Sequence, residues 1–206
     1  MKVLKLSDSI KLLSKYGVKF ADYAVVKKEE DLKKIRFGFP WALKASGSRL
    51  SHKTEKGAVL LGIDGLENAV KAVKKLKKIR GAEEIVAQKQ LTGTEMIVGA
   101  KRDAQFGSTV LAGMGGIFTE VLKDFSVRIC PVSEKEAGEM LTGLKGGRIL
   151  QGFRKQKPVN LKALSKAIVS VNRAMMKHPE IQEIDLNPII ADSKNAIAVD
   201  ARIVID

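Results

Sequence analysis

The chain is poor in the residues that most often announce chemistry. It has one cysteine, Cys130, and two histidines, His52 and His178, in 206 residues. A single cysteine excludes an internal disulfide and makes a reducing cytoplasm the expected location. No Cys/His pattern with zinc spacing occurs, so a zinc module is excluded. Aromatic residues are scarce and are not interleaved with the basic ones, so the signature of an RNA-binding module is missing. The longest apolar stretch, residues 58–63, contains Gly62 and is far too short to span a bilayer. The first residues lack the apolar core of a secretory signal. There is no internal repeat and no low-complexity tract.

Positive charge is abundant, with a formal net charge of +14. Its placement matters more than its size. Over residues 66–80, Ala69, Val70, Val73, Leu76 and Ile79 form one helical stripe, and Lys71, Lys74, Lys75, Lys77 and Lys78 cover the rest. That is an amphipathic helix with a solvated lysine face rather than a nucleic-acid groove. Attraction to nucleotides, phosphates or an acidic partner fits the charge equally well.

The remaining elements read as α+β. Ser7 can cap a first helix that carries Ile10, Leu13 and Tyr16 and closes at Gly17. Short strands are expected at 23–26, 41–45 and 57–63, with a short helix at 29–36. From Ile85 the pattern becomes mostly β: a strand at 85–91, then a hairpin of 95–101 with 108–114. Ser133 and Glu136 make a capping box for one helix, and a second helix covers 161–177. A smaller unit over residues 1–84 and a larger one over 85–206, with a cleft between them, is the expected organisation.

The C-terminal segment is the most informative. Residues 183–191 and 196–202 are aliphatic runs flanking a polar turn, a hairpin signal. Folding about Ser193-Lys194 sets Asn187 opposite Asp200 and Asp185 opposite Arg202. Strand alternation puts Asp185 and Asn187 on one face, with Ile184, Leu186, Ile190, Ile197 and Val199 on the other. Two acids and an amide side by side suit Mg²⁺, which takes a few protein oxygens and completes its shell with water and phosphate. An Asp and an Asn on a solvated hairpin commonly bind nothing, so this geometry needs support from elsewhere.

Four features supply it. Lys44 ends a strand before a loop, where an ammonium can meet a nucleotide phosphate. Glu95 follows a strand and can accept from both hydroxyls of a ribose. The glycine-rich stretch 113–120 can bring backbone N–H groups close to an anion, or merely turn the chain. His52 lies in a polar loop, where a neutral imidazole can attack phosphorus.

In this order and spacing, the stretches 43–44, 51–53, 95–99, 102–107, 113–120, 123–128, 183–188 and 199–202 resemble the ATP-grasp β subunit of ADP-forming acyl-CoA (acetyl-CoA) synthetases. They are less closely similar to the nucleotide-binding half of succinyl-CoA synthetase β. The resemblance covers nearly the whole chain. It implies an α+β ATP-grasp fold, two subdomains gripping ATP or ADP with Mg²⁺. It implies the ligase reaction acyl-CoA + ADP + phosphate ⇌ acid + CoA + ATP, completed by a separate CoA-binding α subunit in an α2β2 heterotetramer. It further implies that His52 relays phosphate and that Asp185 steadies it. Lys44, Gln88, Lys89 and Glu95 would hold the nucleotide, and Asn187 and Asp200 would hold the metal. Gln88 departs from the pattern, which has a glutamate there, and leaves ADP versus GDP open. Gly57-Ala58 replaces a glycine pair after the histidine loop. Arg154-Lys155 and Asn160 depart as well. The rival readings are a non-catalytic basic nucleotide- or nucleic-acid-binding protein of the same fold, and a stand-alone carboxylate–amine ligase. The His52 loop argues against the last. No membrane association is expected.

Overall fold

The period-two pattern of Trp41–Ser46 and Glu84–Lys89 builds a sheet that is covered differently on its two faces. The computed structural model describes residues 1–50, 56–116, 123–154 and 157–206. It opens on strand β1 (Lys2–Val3) and helix α1 (Leu6–Ser14). There follow β2 (Tyr23–Val26), a 3-10 segment (Glu29–Lys34), β3 (Trp41–Ser46), β4 (Val59–Ile63), α2 (Leu66–Lys77) and β5 (Glu84–Lys89). The four-stranded sheet has the order β2-β5-β3-β4. Trp41, Leu43 and Ala45 of β3 join Ala69, Val73 and Leu76 of α2 in one hydrophobic core. Each fully buried Leu there contributes about 1.5–3 kcal/mol. The five lysines expected on the outer face of α2 are all exposed. One unit of the chain comprises residues Lys2–Ser9 and Ala21–Leu91, with α1 divided after Ser9.

One helix start differs from expectation. Ser7 lies inside α1 rather than capping it. Its backbone N–H donates to Glu84 Oε1 at 2.9 Å and its hydroxyl to Glu84 Oε2 at 2.6 Å. A carboxylate far away in sequence thus fills the role of the N-terminal cap, where helix N–H groups favour an anion. Local sequence cannot reveal such a partner.

The second unit takes Met1, Ile10–Phe20 and Thr92–Asp206. Its strands are β6 (Thr94–Asp103), β7 (Gly107–Met114), β8 (Phe125–Ile129), β9 (Ile181–Ala191), β10 (Ala196–Ala198) and β11 (Arg202–Ile205), and its helices are α3 (Glu134–Thr142), α4 (Gly147–Leu150) and α5 (Leu161–Lys177). The sheet runs β11-β9-β6-β7-β8, and β10 also pairs with β9. β8 and α4 were not anticipated. The capping box of α3 is present as expected, with Ser133 accepting from the Glu136 N–H and the Glu136 carboxylate accepting from the Ser133 N–H.

Several motif residues turn out to hold this unit together. Arg102 donates to the carbonyls of Met175, His178 and Ile181 at 3.1–3.2 Å, closing the C-terminal end of α5. Asp103 Oδ1 accepts from the N–H groups of Gln105 and Phe106 and so shapes the β6–β7 turn. The buried Asp124 carboxylate accepts from Lys145 and Gly146 N–H at 2.8 and 2.7 Å, ahead of α4. His178 is held between Tyr16 Oη, 3.0 Å from Nε2, and Glu180 Oε1, 2.8 Å from Nδ1. A carboxylate can only accept, so Nδ1 carries a proton, and in the neutral ring Nε2 accepts from the tyrosine. No helix among the described residues is long and apolar enough to cross a membrane.

Candidate functional site

In the smaller unit the candidate residues Lys44 and Gln88 lie on the sheet face opposite α2. The register pairs Ala42 with Gln88 and Lys44 with Val86, so Lys44 and Gln88 share the face that Leu43 avoids. Both are buried, at 4% and 0% exposure. Lys44 Nζ donates to Gln88 Oε1 at 2.9 Å. An ammonium can only donate, which fixes the orientation of the amide. Gln88 Nε2 then has no hydrogen-bond partner among the described residues. Lys89, the next residue, is exposed, and its N–H donates to Asp22 O at 2.8 Å.

His52 lies outside the described residues, but both flanks of its segment are within them. On one side Leu50 is buried in the hydrophobic core, and on the other Ala58 is. Ser48 donates through its N–H and hydroxyl to Glu83, which also pairs with Lys5. These donors, the Ser48 hydroxyl foremost, hold the Glu83 carboxyl down to about 2. Gly47 is required here, because a Cβ would lie 2.0 Å from the carbonyl oxygen of Gly81. Sequence reasoning missed Glu83 and Gly47, because their partners lie some thirty-five residues away and form no motif.

In the larger unit the hairpin register is as expected. Arg202 pairs with Asp185 and Ile203 with Ile184, and in the same register Ala196 pairs with Ala191 and Ile197 with Ile190. Between the two ladder segments Val199 N–H donates to Pro188 O at 3.1 Å, and continuing the same register through residues 199–201 would bring Asp200 level with Asn187. One part of the face assignment needs correction. On the β6 side, Met96 pairs with Ile189 and Val98 with Leu186. Asn187 and Pro188 together therefore oppose Ile97, a bulge that reverses the alternation. Ile190 and Ile197 consequently share the face of Asp185, while Ile184, Leu186 and Ile189 point inward.

The same register assembles the outer face. Gly99 pairs with Asp185 and Glu95 with Ile190, and Glu95, Ile97 and Gly99 alternate onto one side of β6. Glu95 and Asp185 therefore look out from one sheet face, four residues apart along the strand, or about 13 Å. Gly99 contributes no side chain beside Asp185. An open groove of about 440 Å³ lies there, lined in part by Gly99, Leu111, Phe125, Asp185 and Asn187. Among the described residues no group of three or more His, Cys, Asp or Glu is placed to hold a metal. A pair such as Asn187 and Asp200 fits only a hard cation that draws its other ligands from water and phosphate.

The glycine-rich stretch answers to Glu95. Gly115 N–H donates to Glu95 O at 2.7 Å. A Cβ on Gly115 would lie 2.8 Å from the Glu95 carbonyl carbon, and one on Gly116 would lie 3.1 Å from Glu95 Oε2.

Comparison with known proteins agrees with this architecture. The ATP-grasp domain family matches residues 1–205. The β subunit of ADP-forming acetate–CoA ligase I from Pyrococcus furiosus is 38% identical over 96% of this chain and 90% of that protein. ADP-forming acetate–CoA ligase I from Archaeoglobus fulgidus is 35% identical over 97% of this chain, which spans only 30% of that longer protein. Among solved structures, the dinucleotide-forming acetyl-coenzyme A synthetase 1 of Ca. Korarchaeum cryptofilum, in complex with coenzyme A and Ca-AMPCP, superimposes with a TM-score of 0.92 at 34% identity, covering 100% of this chain and 94% of that one. Another structure of that protein holds Mg-AMPPCP with its phosphohistidine segment pointing towards the nucleotide binding site. The chain belongs to the ATP-grasp family, among the β subunits of the ADP-forming acyl-CoA ligases.

Proposed function

We propose that this chain is the nucleotide-binding subunit of a cytoplasmic two-chain ligase that interconverts acyl-CoA, ADP and phosphate with acid, CoA and ATP. The observation that supports the reading is the β6–β9 register, which pairs Gly99 with Asp185 and Glu95 with Ile190 and so gives Glu95 and Asp185 one sheet face. The carboxylate of Glu95 accepts the ribose hydroxyls. Lys44 offsets phosphate charge, Gln88 donates its amide N–H, and Lys89 lies beside them at the strand end. Asn187 and Asp200 would hold a divalent cation such as Mg²⁺, which would supply positive charge to offset that of the phosphates. The CoA chemistry and acyl phosphate formation lie on the α subunit, two copies of each chain forming the assembly.

The phosphoryl group crosses between the chains on His52. One imidazole nitrogen attacks phosphorus and forms a P–N bond as the bond from phosphorus to its donor group on the α subunit breaks, and attack by an ADP oxygen then breaks the P–N bond and frees the imidazole. Asp185, accepting from the other ring N–H, fixes the tautomer and raises the nucleophilicity of the attacking nitrogen. The fixed surroundings of His178 support this assignment, because of two histidines in the chain that one is bound on both nitrogens by Tyr16 and Glu180. The test combines the chain with its CoA-binding partner, acetyl-CoA, ADP, phosphate and Mg²⁺. ATP formation is expected with the unmodified chain and only background with His52→Ala. Undiminished ATP formation by the variant overturns the relay.

A further inference from the structure

We infer that Gly115 and Gly116 are positioning residues, a side-chain-free cradle that sets where the Glu95 carboxylate meets the nucleotide ribose. The inference rests on the reading of Glu95 as the ribose-contacting acid, and extends it to the origin of ribose selectivity.

The β6–β7 ladder ends at the pair Met96–Met114. The Gly115 N–H carries the pairing one step further, onto Glu95 O at 2.7 Å. The backbones approach so closely that a Cβ on Gly115 would lie 2.8 Å from the Glu95 carbonyl carbon and 2.9 Å from its Cβ. Real Cβ atoms do not tolerate such contacts, so any other residue would move Glu95 or the loop. Gly116 has φ +62°, in the left-handed region, and its α-carbon faces Glu95 Oε2, which an added Cβ would approach to 3.1 Å. On the opposite side Glu95 pairs with Ile190 of β9, a residue only 8% exposed. Gly93, just upstream, packs against β9 with no room for a side chain, since an added Cβ would lie 2.7 Å from Ala191 O. Glu95 is therefore held from both neighbouring strands.

The carboxylate itself is solvent-exposed. Among the described residues it makes no ion pair and no side-chain hydrogen bond. Glycine loses more conformational freedom on folding than any other residue. Two glycines placed around an acid that has no side-chain partner among the described residues make sense as preorganisation of an acceptor for a ligand. A carboxylate has two oxygens able to accept two hydroxyl protons, so the matching ligand group is a vicinal diol. A site built to bond a hydroxyl discriminates against an analogue that lacks it. The selectivity of interest is thus ADP over 2′-deoxy-ADP.

The experiment titrates the full-length chain with both nucleotides, in the unmodified protein and in Glu95→Ala, Gly116→Ala and the double variant. The expected preference for ADP is roughly tenfold, one charge-assisted hydrogen bond's worth. It should collapse towards unity in Glu95→Ala and fall several-fold in Gly116→Ala, with no further fall in the double variant. Gly116→Asn tolerates a positive φ while still placing a Cβ beside Oε2. It should behave as the alanine variant does, and it carries the test if the alanine variant does not fold. If Glu95→Ala keeps the preference, the ribose reading itself is wrong. If Glu95→Ala loses it while Gly116→Ala or Gly116→Asn keeps it, the cradle is overturned and the ribose reading stands.

Discussion

Lys44 and Glu95 carry opposite charges, and the chain holds them in opposite ways. Lys44 is buried within a sheet and hydrogen-bonded to the Gln88 amide. Glu95 is exposed, and its constraint acts on the backbone, through Gly115 on one side and β9 on the other. The difference follows from solvation. A buried ammonium loses water and must be given acceptors, so a neighbour's identity is dictated by it. An exposed carboxylate keeps its water until a ligand arrives, so only its position has to be fixed.

Substitution can break this contrast. The largest effect is expected for Lys44→Met, which strips the donor from a buried amide. Stability should fall by about 1–3 kcal/mol, and ADP binding should weaken with it. Denaturant unfolding and an ADP titration check both, and an unaltered unfolding midpoint would show that the amide finds another partner. Asp200→Asn should act in the opposite sense. It keeps the oxygen that accepts from Ala201 N–H and lies at a half-buried hairpin position, so stability should stay within about 0.5 kcal/mol. ATP formation at limiting Mg²⁺ should nevertheless fall at least tenfold or so. Equal losses of stability and activity would erase the distinction between the two regions.

The smallest effect concerns the anchor of the His52 segment. Glu83 is depressed from 4.5 to about 2 by Ser48 and Lys5. A lowered folded-state value means that its contribution is complete above pH 4.5 and is lost as pH falls towards 2. Between pH 5 and 8 this anchor should therefore add no pH dependence to stability. Carboxyl NMR of Glu83 should show a titration midpoint well below that of a free glutamate, and a normal midpoint would mean that the Ser48 contact is absent in solution.

What could be read in the sequence was whatever depends on local period. The α2 stripe, α5, the capping box of α3 and the register of the C-terminal hairpin all rest on residues close together in the sequence, and the structure shows them. The expected ATP-grasp fold is shown as well. What escaped depends on partners remote in sequence. Glu84 replaces Ser7 at the start of α1, and the bulge opposite Ile97 turns Ile190 onto the Asp185 face. The stretches around Arg102, Asp103 and Asp124 are among those that carry the family resemblance, which assigns them no role. In the fold they close a helix end, shape a turn and anchor a short helix. Resemblance marks such residues without saying whether they hold the site or the scaffold.

The central claim is that His52 carries phosphate to the nucleotide. The most direct test incubates the chain with Mg-ATP and then maps acid-labile phosphate by mass spectrometry under alkaline conditions. Phosphate on His52, absent in His52→Ala and diminished in Asp185→Asn, is the predicted result. Phosphate on His178, or none on either histidine while ATP is bound, would contradict it.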